Sequence, residues 1–120
     1  MKTNNIIQEK SFAFAVRIVK LYKYLVEEKK EYLLSKQLMR SGTSIGANVE
    51  EAIGGYSKMD FLHKLTIAYK EARESLYWLK LLIASESLSE KEAQSMITDI
   101  EEICKIISSI QISSKKNKTS

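Results

Sequence analysis

Proline is absent from this sequence of 120 residues, and glycine occurs only four times. Because proline and glycine interrupt helices and supply tight turns, their scarcity leaves long helices uninterrupted and argues against a turn-rich β architecture. A chain of this length fits one domain with a single core. The composition therefore predicts an all-α domain.

Cysteine and histidine each occur once, as Cys104 and His63. Cys104 can form no internal disulfide and has no ligand neighbours at metal spacing, so we expect a thiol in the core and a reducing compartment. His63 lacks a partner that would make it a base and lies off the apolar stripe, so we expect it to be solvated. The paired Glu-x-x-His signature of di-metal bundles is missing. We therefore predict no catalytic residue, no metal and no cofactor.

Long apolar runs are also missing. No segment approaches the ~20 uncharged residues that span a bilayer, and residues 1–10 lack the apolar run and cleavage site of a signal peptide. We therefore expect a cytoplasmic protein. The formal net charge of +4 favours an acidic partner without requiring one.

Apolar residues recur at three- and four-residue spacing in four segments, which predicts four helices. The first covers about 6–29, the second about 32–53, the third begins after Ser57 and the fourth at Ser89. Short connections make an up-down-up-down antiparallel bundle over residues 1–112 the most economical arrangement. Residues 113–120, with Lys115, Lys116 and Lys118, are expected to form a disordered basic tail.

Capping residues support the predicted boundaries of the helices. Gly54 and Gly55 suit a left-handed cap after the second helix. Ser57 with Asp60 predicts the next start, and Ser89 with Glu92 forms a full capping box.

The first helix has two overlapping apolar sets, so its stripe is unusually wide. The stripe needs neighbours on more than one side, so this helix also points to self-association. The first set is Phe12, Ala15, Val16, Val19, Tyr22 and Val26, and the second is Phe14, Ile18 and Leu25.

The second helix contains residues that favour helix poorly, so packing must select them. Gly42 and Gly46 predict a close approach of another helix. A polar stripe predicts hydrogen bonds to neighbouring helices, with Glu71 or Glu74 as the partner of Arg40. The predicted polar network is Arg40, Ser44, Asn48, Glu51 and Glu71.

The third helix carries two further groups outside its core face. Ile67, Trp78 and Leu81 form an apolar flank that predicts self-association, the alternative being that Trp78 packs under a helix end or the tail. The second group is a solvent-facing strip that combines cations with an aromatic ring, as in nucleic-acid binding. It continues from Thr66 through Lys70, Arg73, Tyr77 and Lys80. The alternative is an ordinary solvated face.

The segment from Leu34 to Ala52, with SGTSIGANVEEA (residues 41–52) at its centre, closely resembles the bacterial four-helix bundle family first known from intervening sequences in 23S ribosomal RNA genes. Segments 61–65, 67–68, 70–74 and 77–79 resemble the third-helix pattern of that family. The resemblance implies a homopentameric ring without established enzymatic activity. A related branch, the accessory protein of diversity-generating retroelements, is a basic pentamer that binds nucleic acid and its reverse transcriptase.

Two functions therefore compete at this stage. The first is a non-enzymatic oligomeric scaffold that binds structured RNA or DNA without reading its sequence. The second is an adaptor that binds proteins, a reverse transcriptase among the candidates, and whose basic strip is incidental. Salt-dependent affinity for RNA favours the first, and salt-insensitive capture of a partner favours the second.

Overall fold

The computed structural model describes the backbone of residues 2–119 and the side chains of residues 6–115. It contains four helices, α1 (Lys2–Glu27), α2 (Leu34–Ile53), α3 (Lys58–Ala84) and α4 (Glu90–Thr119), and the backbone described contains no strand. The neighbouring pairs are α1–α2, α2–α3, α3–α4 and α1–α4. They form a rod of 52 × 22 × 21 Å, which confirms the all-α four-helix bundle.

Two of the predicted helix starts are confirmed by their caps. Ser57 Oγ accepts the Asp60 N–H at 3.1 Å. At the start of α4, Ser89 Oγ accepts the Glu92 N–H at 3.1 Å and the Glu92 carboxylate accepts the Ser89 N–H at 2.8 Å. These bonds satisfy N–H groups that have no partner within the helix.

The left-handed glycine cap predicted after α2 is wrong. Gly54 has φ −83°, and the positive φ values among the described residues belong to Lys30 (56°) and Glu86 (67°). Space at Gly55 is limited, because a Cβ there would lie 3.1 Å from the Ala52 carbonyl oxygen and 2.5 Å from Asp60 Oδ2, although the Asp60 side chain can shift.

The start of α2 uses a cap that sequence reasoning missed. The Glu31 carboxylate accepts the N–H groups of Leu33, Leu34 and Ser35 at 2.6–3.0 Å. Burial alone would raise the Glu31 pKa, but these donors outweigh it and the pKa is lowered. The helix consequently begins at Leu34, two residues later than predicted.

Only part of the wide apolar stripe predicted for α1 is buried within the chain. Phe12 is 68% exposed and Val16 38% exposed. The second of the two apolar sets is buried, together with two further residues of the same heptad repeat. The buried apolar residues of α1 are Ile7, Phe14, Ile18, Leu21 and Leu25.

The close approach predicted at the two helical glycines is confirmed, and α1 is the helix that approaches. A Cβ on Gly42 would lie 2.7 Å from Ile18 Cγ1. One on Gly46 would lie 3.3 Å from the backbone oxygen of Ser11. Glycine thus sets the distance between the α1 and α2 axes.

Helices α3 and α4 bury the faces that their periodicity predicts, from Leu65 to Leu82 and from Ala93 to Ile110. Cys104 is half-buried and packs against this core. Helix α4 continues to Thr119, beyond the predicted end near Ser113, because no glycine or proline stops it. The division into a 1–112 bundle and a 113–120 tail stays a prediction, and the side chains of residues 116–120 lie outside the described part. No helix of the described residues is long and apolar enough to cross a membrane.

Candidate nucleic-acid interface

Arg40 links α2 to α3 through two carboxylates, as predicted. Its Nη1 lies 3.0 Å from Glu71 Oε2, and its Nη2 contacts Glu74 Oε2. The same oxygen of Glu74 accepts the Trp78 indole N–H at 2.9 Å. The Trp78 bond lowers the Glu74 pKa most, and Arg40 lowers it further against the effect of burial.

The rest of the predicted polar network divides into two kinds of contact. Glu51 accepts a hydrogen bond from Lys64 Nζ on α3 at 2.9 Å, so this residue does connect two helices. Ser44 donates to the Arg40 carbonyl at 2.6 Å and Asn48 to the Ser44 carbonyl at 2.8 Å, both within α2. The neighbouring-helix partner predicted for Asn48 is therefore replaced by a bond one turn back, which the short Asn side chain reaches readily.

The hydrogen bond buried between α2 and α3 joins two serines instead. Ser75 Oγ donates to Ser41 Oγ at 2.8 Å, and both residues are fully buried. The Ser75 hydroxyl also lies 2.9 Å from the Glu71 carbonyl oxygen, so its one hydrogen is shared between two acceptors, and the Ser41 hydroxyl donates to the Leu38 carbonyl at 3.4 Å. The pair therefore leaves no hydroxyl unsatisfied in the core.

The predicted basic strip is exposed along α3. Lys70, Arg73, Tyr77 and Lys80 all face solvent, at the three- and four-residue spacing that places them in one row. None of the three cations forms an ion pair among the described residues, in contrast to Arg40 on α2.

The strip runs beside α4. Gln111 Nε2 donates to Thr66 Oγ1, at the head of the strip, at 2.8 Å. Burial raises the pKa of the Cys104 thiol, Arg73 opposes this rise, and Glu101 adds to it. Glu101 is exposed on α4, the helix beside the strip.

Tyr77 is the aromatic residue of the strip, and Trp78 supports it. The two rings meet edge to face, with centroids 5.1 Å apart and planes at 69°. Tyr77 is 58% exposed, whereas Trp78 is half-buried against the core. The solvent-facing tyrosine ring thus contacts a tryptophan that packs against the core.

The apolar flank predicted on α3 offers less free surface than expected. Ile67, Trp78 and Leu81 are all half-buried. The Trp78–Glu74 bond and the Arg40–Glu74 pair place Trp78 on the α2 side of α3, beside the polar network. Trp78 accordingly packs against the bundle core and not under a helix end.

A larger exposed apolar surface lies on α1, within the wide apolar stripe of that helix. Phe12 and Val16 are one turn apart and both exposed. Phe12 borders an open groove of about 280 Å³ between α1 and α2, which Ala15, Gly46 and Ala47 also line. We call Phe12, Val16 and this groove the α1 face.

Three polar contacts close the opposite side of α1 against α4. Arg17 Nη1 lies 2.5 Å from Asp99 Oδ2, Lys10 Nζ lies 2.9 Å from Glu102 Oε1, and Tyr24 Oη donates to Glu92 at 2.6 Å. The cations on this side are therefore neutralised locally, and they do not extend the basic strip.

No group of three His, Cys, Asp or Glu residues in the described part is arranged to hold a metal ion. His63 is exposed. The exposed charge and ring of α3 are the chemically distinctive features of this surface.

Comparison with known proteins adds to this geometry. The family model of the 23S rRNA-intervening sequence protein matches residues 3–109. One solved structure, a protein with unknown function from the S23 ribosomal protein family from Bacteroides thetaiotaomicron, is 51% identical to this chain. It matches with a TM-score of 0.89, over 91% of this chain and 97% of its own. No curated protein matches.

Proposed function

This chain belongs to the 23S rRNA-intervening sequence protein family, and on that premise we propose that it is a non-enzymatic oligomeric bundle that binds RNA or DNA. The observation that carries this proposal is the row of cations on α3, which form no ion pair with any residue whose side chain the structure describes. Lys70, Arg73 and Lys80 are exposed and can contact an external anion, and Tyr77 adds a surface for a base.

Oligomerisation is supported by the α1 face. A phenylalanine that is 68% exposed beside a valine is a liability in a monomer, and an interface removes it. The groove beside Phe12 faces the α2 side of the bundle, whereas the basic strip faces the α4 side. Subunits that associate through the α1 face would therefore leave the strip accessible, and the family resemblance favours five subunits in a ring.

The oligomeric state can be tested by light scattering after gel filtration. We expect a particle well above the 13.7 kDa of one chain, and Phe12→Ser should shift it toward the monomer. Met59→Ser is the matched control, because Met59 is 74% exposed but lies at the start of α3. A monomer at micromolar concentration for the parent protein would contradict the proposal.

Nucleic-acid binding can be tested by fluorescence anisotropy at several salt concentrations. Affinity should fall steeply with salt, because phosphate contacts release counterions. Arg73→Glu/Lys80→Glu should weaken binding to all sequences about equally, and should lower the salt slope by about one unit for each phosphate that is no longer neutralised. Lys36→Glu/Lys91→Glu, which changes the net charge equally at exposed positions on α2 and α4, should have a much smaller effect.

The alternative is a protein-binding adaptor. It would be favoured if no RNA or DNA bound at micromolar protein, or if the α3 double variant bound as well as the parent. Partner capture that does not change with salt would then point to apolar contacts.

A further inference from the structure

Tyr77 has the geometry of a stacking surface. An edge-to-face contact covers at most one face of its ring, and the side chain is 58% exposed, so another face is open to solvent. Purine and pyrimidine bases stack on such open rings whatever their sequence.

The ring is also held in place before any ligand arrives. Trp78, which it contacts, is half-buried against the core and donates its indole N–H to Glu74 at 2.9 Å. Glu74 is in turn paired with Arg40 on α2. A ring fixed by this chain of contacts loses little conformational freedom when a base stacks on it, which favours binding.

Two cations lie one helical turn on either side of the ring. Arg73 precedes Tyr77 by four residues and Lys80 follows it by three, so each Cβ lies about 5–6 Å from that of Tyr77. A nucleotide stacked on Tyr77 would have its two flanking phosphates near these side chains, and neither cation has a carboxylate partner in the described chain.

We infer that Tyr77, flanked by Arg73 and Lys80, is a base-stacking site for single-stranded RNA or DNA. In a duplex the base faces are already stacked on their neighbours, so a helix surface can use such a ring only where bases are unpaired. This inference rests on the proposed function and narrows the proposed ligand from RNA or DNA in general to their unpaired segments.

The test compares an unstructured oligouridine or oligothymidine with a hairpin duplex of equal length, in anisotropy titrations with the full chain. We expect the single strand to bind more tightly. Tyr77→Ala should weaken its binding roughly 5-fold or more, since stacking is worth about 1–3 kcal/mol per base. Tyr77→Phe should retain most of the affinity, because the ring remains.

Tyr56→Ala is the matched control, because Tyr56 is still more exposed but lies in the connection between α2 and α3. Circular dichroism should show that all three variants fold. Ultraviolet cross-linking of the parent to oligouridine, followed by peptide mapping, should place the cross-link at Tyr77.

The outcomes separate this inference from the function on which it rests. Equal or tighter binding of the duplex, or unchanged affinity in Tyr77→Ala, would overturn the stacking site while leaving charge-based binding intact. Failure of both oligonucleotides to bind would overturn the proposed function itself.

Discussion

A single methyl group added at Gly42 gives the sharpest test of how α1 and α2 pack. An ideal Cβ at this position lies 2.7 Å from Ile18 Cγ1, 2.8 Å from Cδ1 and 3.0 Å from Cγ2. Carbon atoms prefer separations of about 3.5–4.0 Å. Ile18 is 1% exposed, so its side chain has no solvent to move into.

Two opposing effects set the expected size of the change in Gly42→Ala. Alanine should favour the helix by roughly 1 kcal/mol over glycine. Overpacking of a well-filled core costs about 1–3 kcal/mol, and three Ile18 carbons are affected at once. The upper part of that range should apply, so we expect a net decrease of about 1–2 kcal/mol in the free energy of unfolding.

Gly54→Ala provides the control, because it adds the same methyl group where space allows. Its nearest neighbours would be the carbonyl oxygens of Glu50 and Glu51, at 3.6 and 4.0 Å, and φ is −83°. Alanine tolerates this geometry and restricts the unfolded chain, so we expect an increase of about 0.4–1 kcal/mol in the free energy of unfolding.

The assay is urea unfolding followed by circular dichroism, at one protein concentration because association also contributes to stability. Ile18→Val, which removes one of the crowding carbons, should cost less stability in the Gly42→Ala background than in the parent. If Gly42→Ala proved as stable as Gly54→Ala, or if the two sites showed no coupling, the close approach of α1 would not limit residue size at Gly42.

Three further predictions concern charged groups. Hydrogen bonds from the Ser89 N–H and then from Tyr24 lower the Glu92 pKa from 4.5 to about 2, so Glu92 stabilises the fold above pH 4.5 and this contribution disappears as pH falls toward 2. Glu92→Gln should therefore lessen the decrease in the free energy of unfolding between pH 4.5 and pH 2. An acid titration of stability that is the same in the variant and the parent would contradict the cap. Arg40→Ala should lower the free energy of unfolding by about 1 kcal/mol. Arg40→Lys should retain less than half of this contribution, because a lysine ammonium cannot bind both carboxylates as the forked guanidinium does. If urea unfolding showed Arg40→Lys to be as stable as the parent, the paired geometry would be contradicted. Glu101→Gln should raise affinity for oligouridine a few-fold in anisotropy titrations, since it removes one negative charge from the exposed surface of α4, the helix beside the strip; unchanged affinity would show that Glu101 does not act on the strip.

Most of the fold could be predicted from capping residues and from the apolar periodicity within single helices. Ser57 and Ser89 form the predicted caps because capping depends on residues within one turn. The faces of α3 and α4 follow from one dominant periodicity in each. In α1, two apolar sets each have helical spacing, and the buried Ser11 interrupts the heptad that turned out to be the core. Local periodicity cannot choose between such sets, because packing against α2 decides.

Some contacts of the candidate site could also be predicted from the sequence. Arg40 needed a carboxylate near packed surface, and that requirement identified Glu71 and Glu74 on another helix. The Trp78–Glu74 bond has an i, i+4 spacing that sequence reasoning had the means to find. The wide stripe of α1 indicated surplus apolar surface, but the exposure of Phe12 in particular depends on which part of that stripe packs into the core.

The opposite placement of the α1 face and the basic strip bears on valency. If subunits join through Phe12, each added subunit brings another strip without consuming one, so assembly and ligand capture do not compete for surface. A strand long enough to reach two strips would bind the second one intramolecularly, at an effective concentration set by the spacing between subunits. Because of this avidity, sites that are individually weak would retain long strands while short fragments exchange freely. Dissociation of the oligomer into monomers would then release a long strand with no change at any single site.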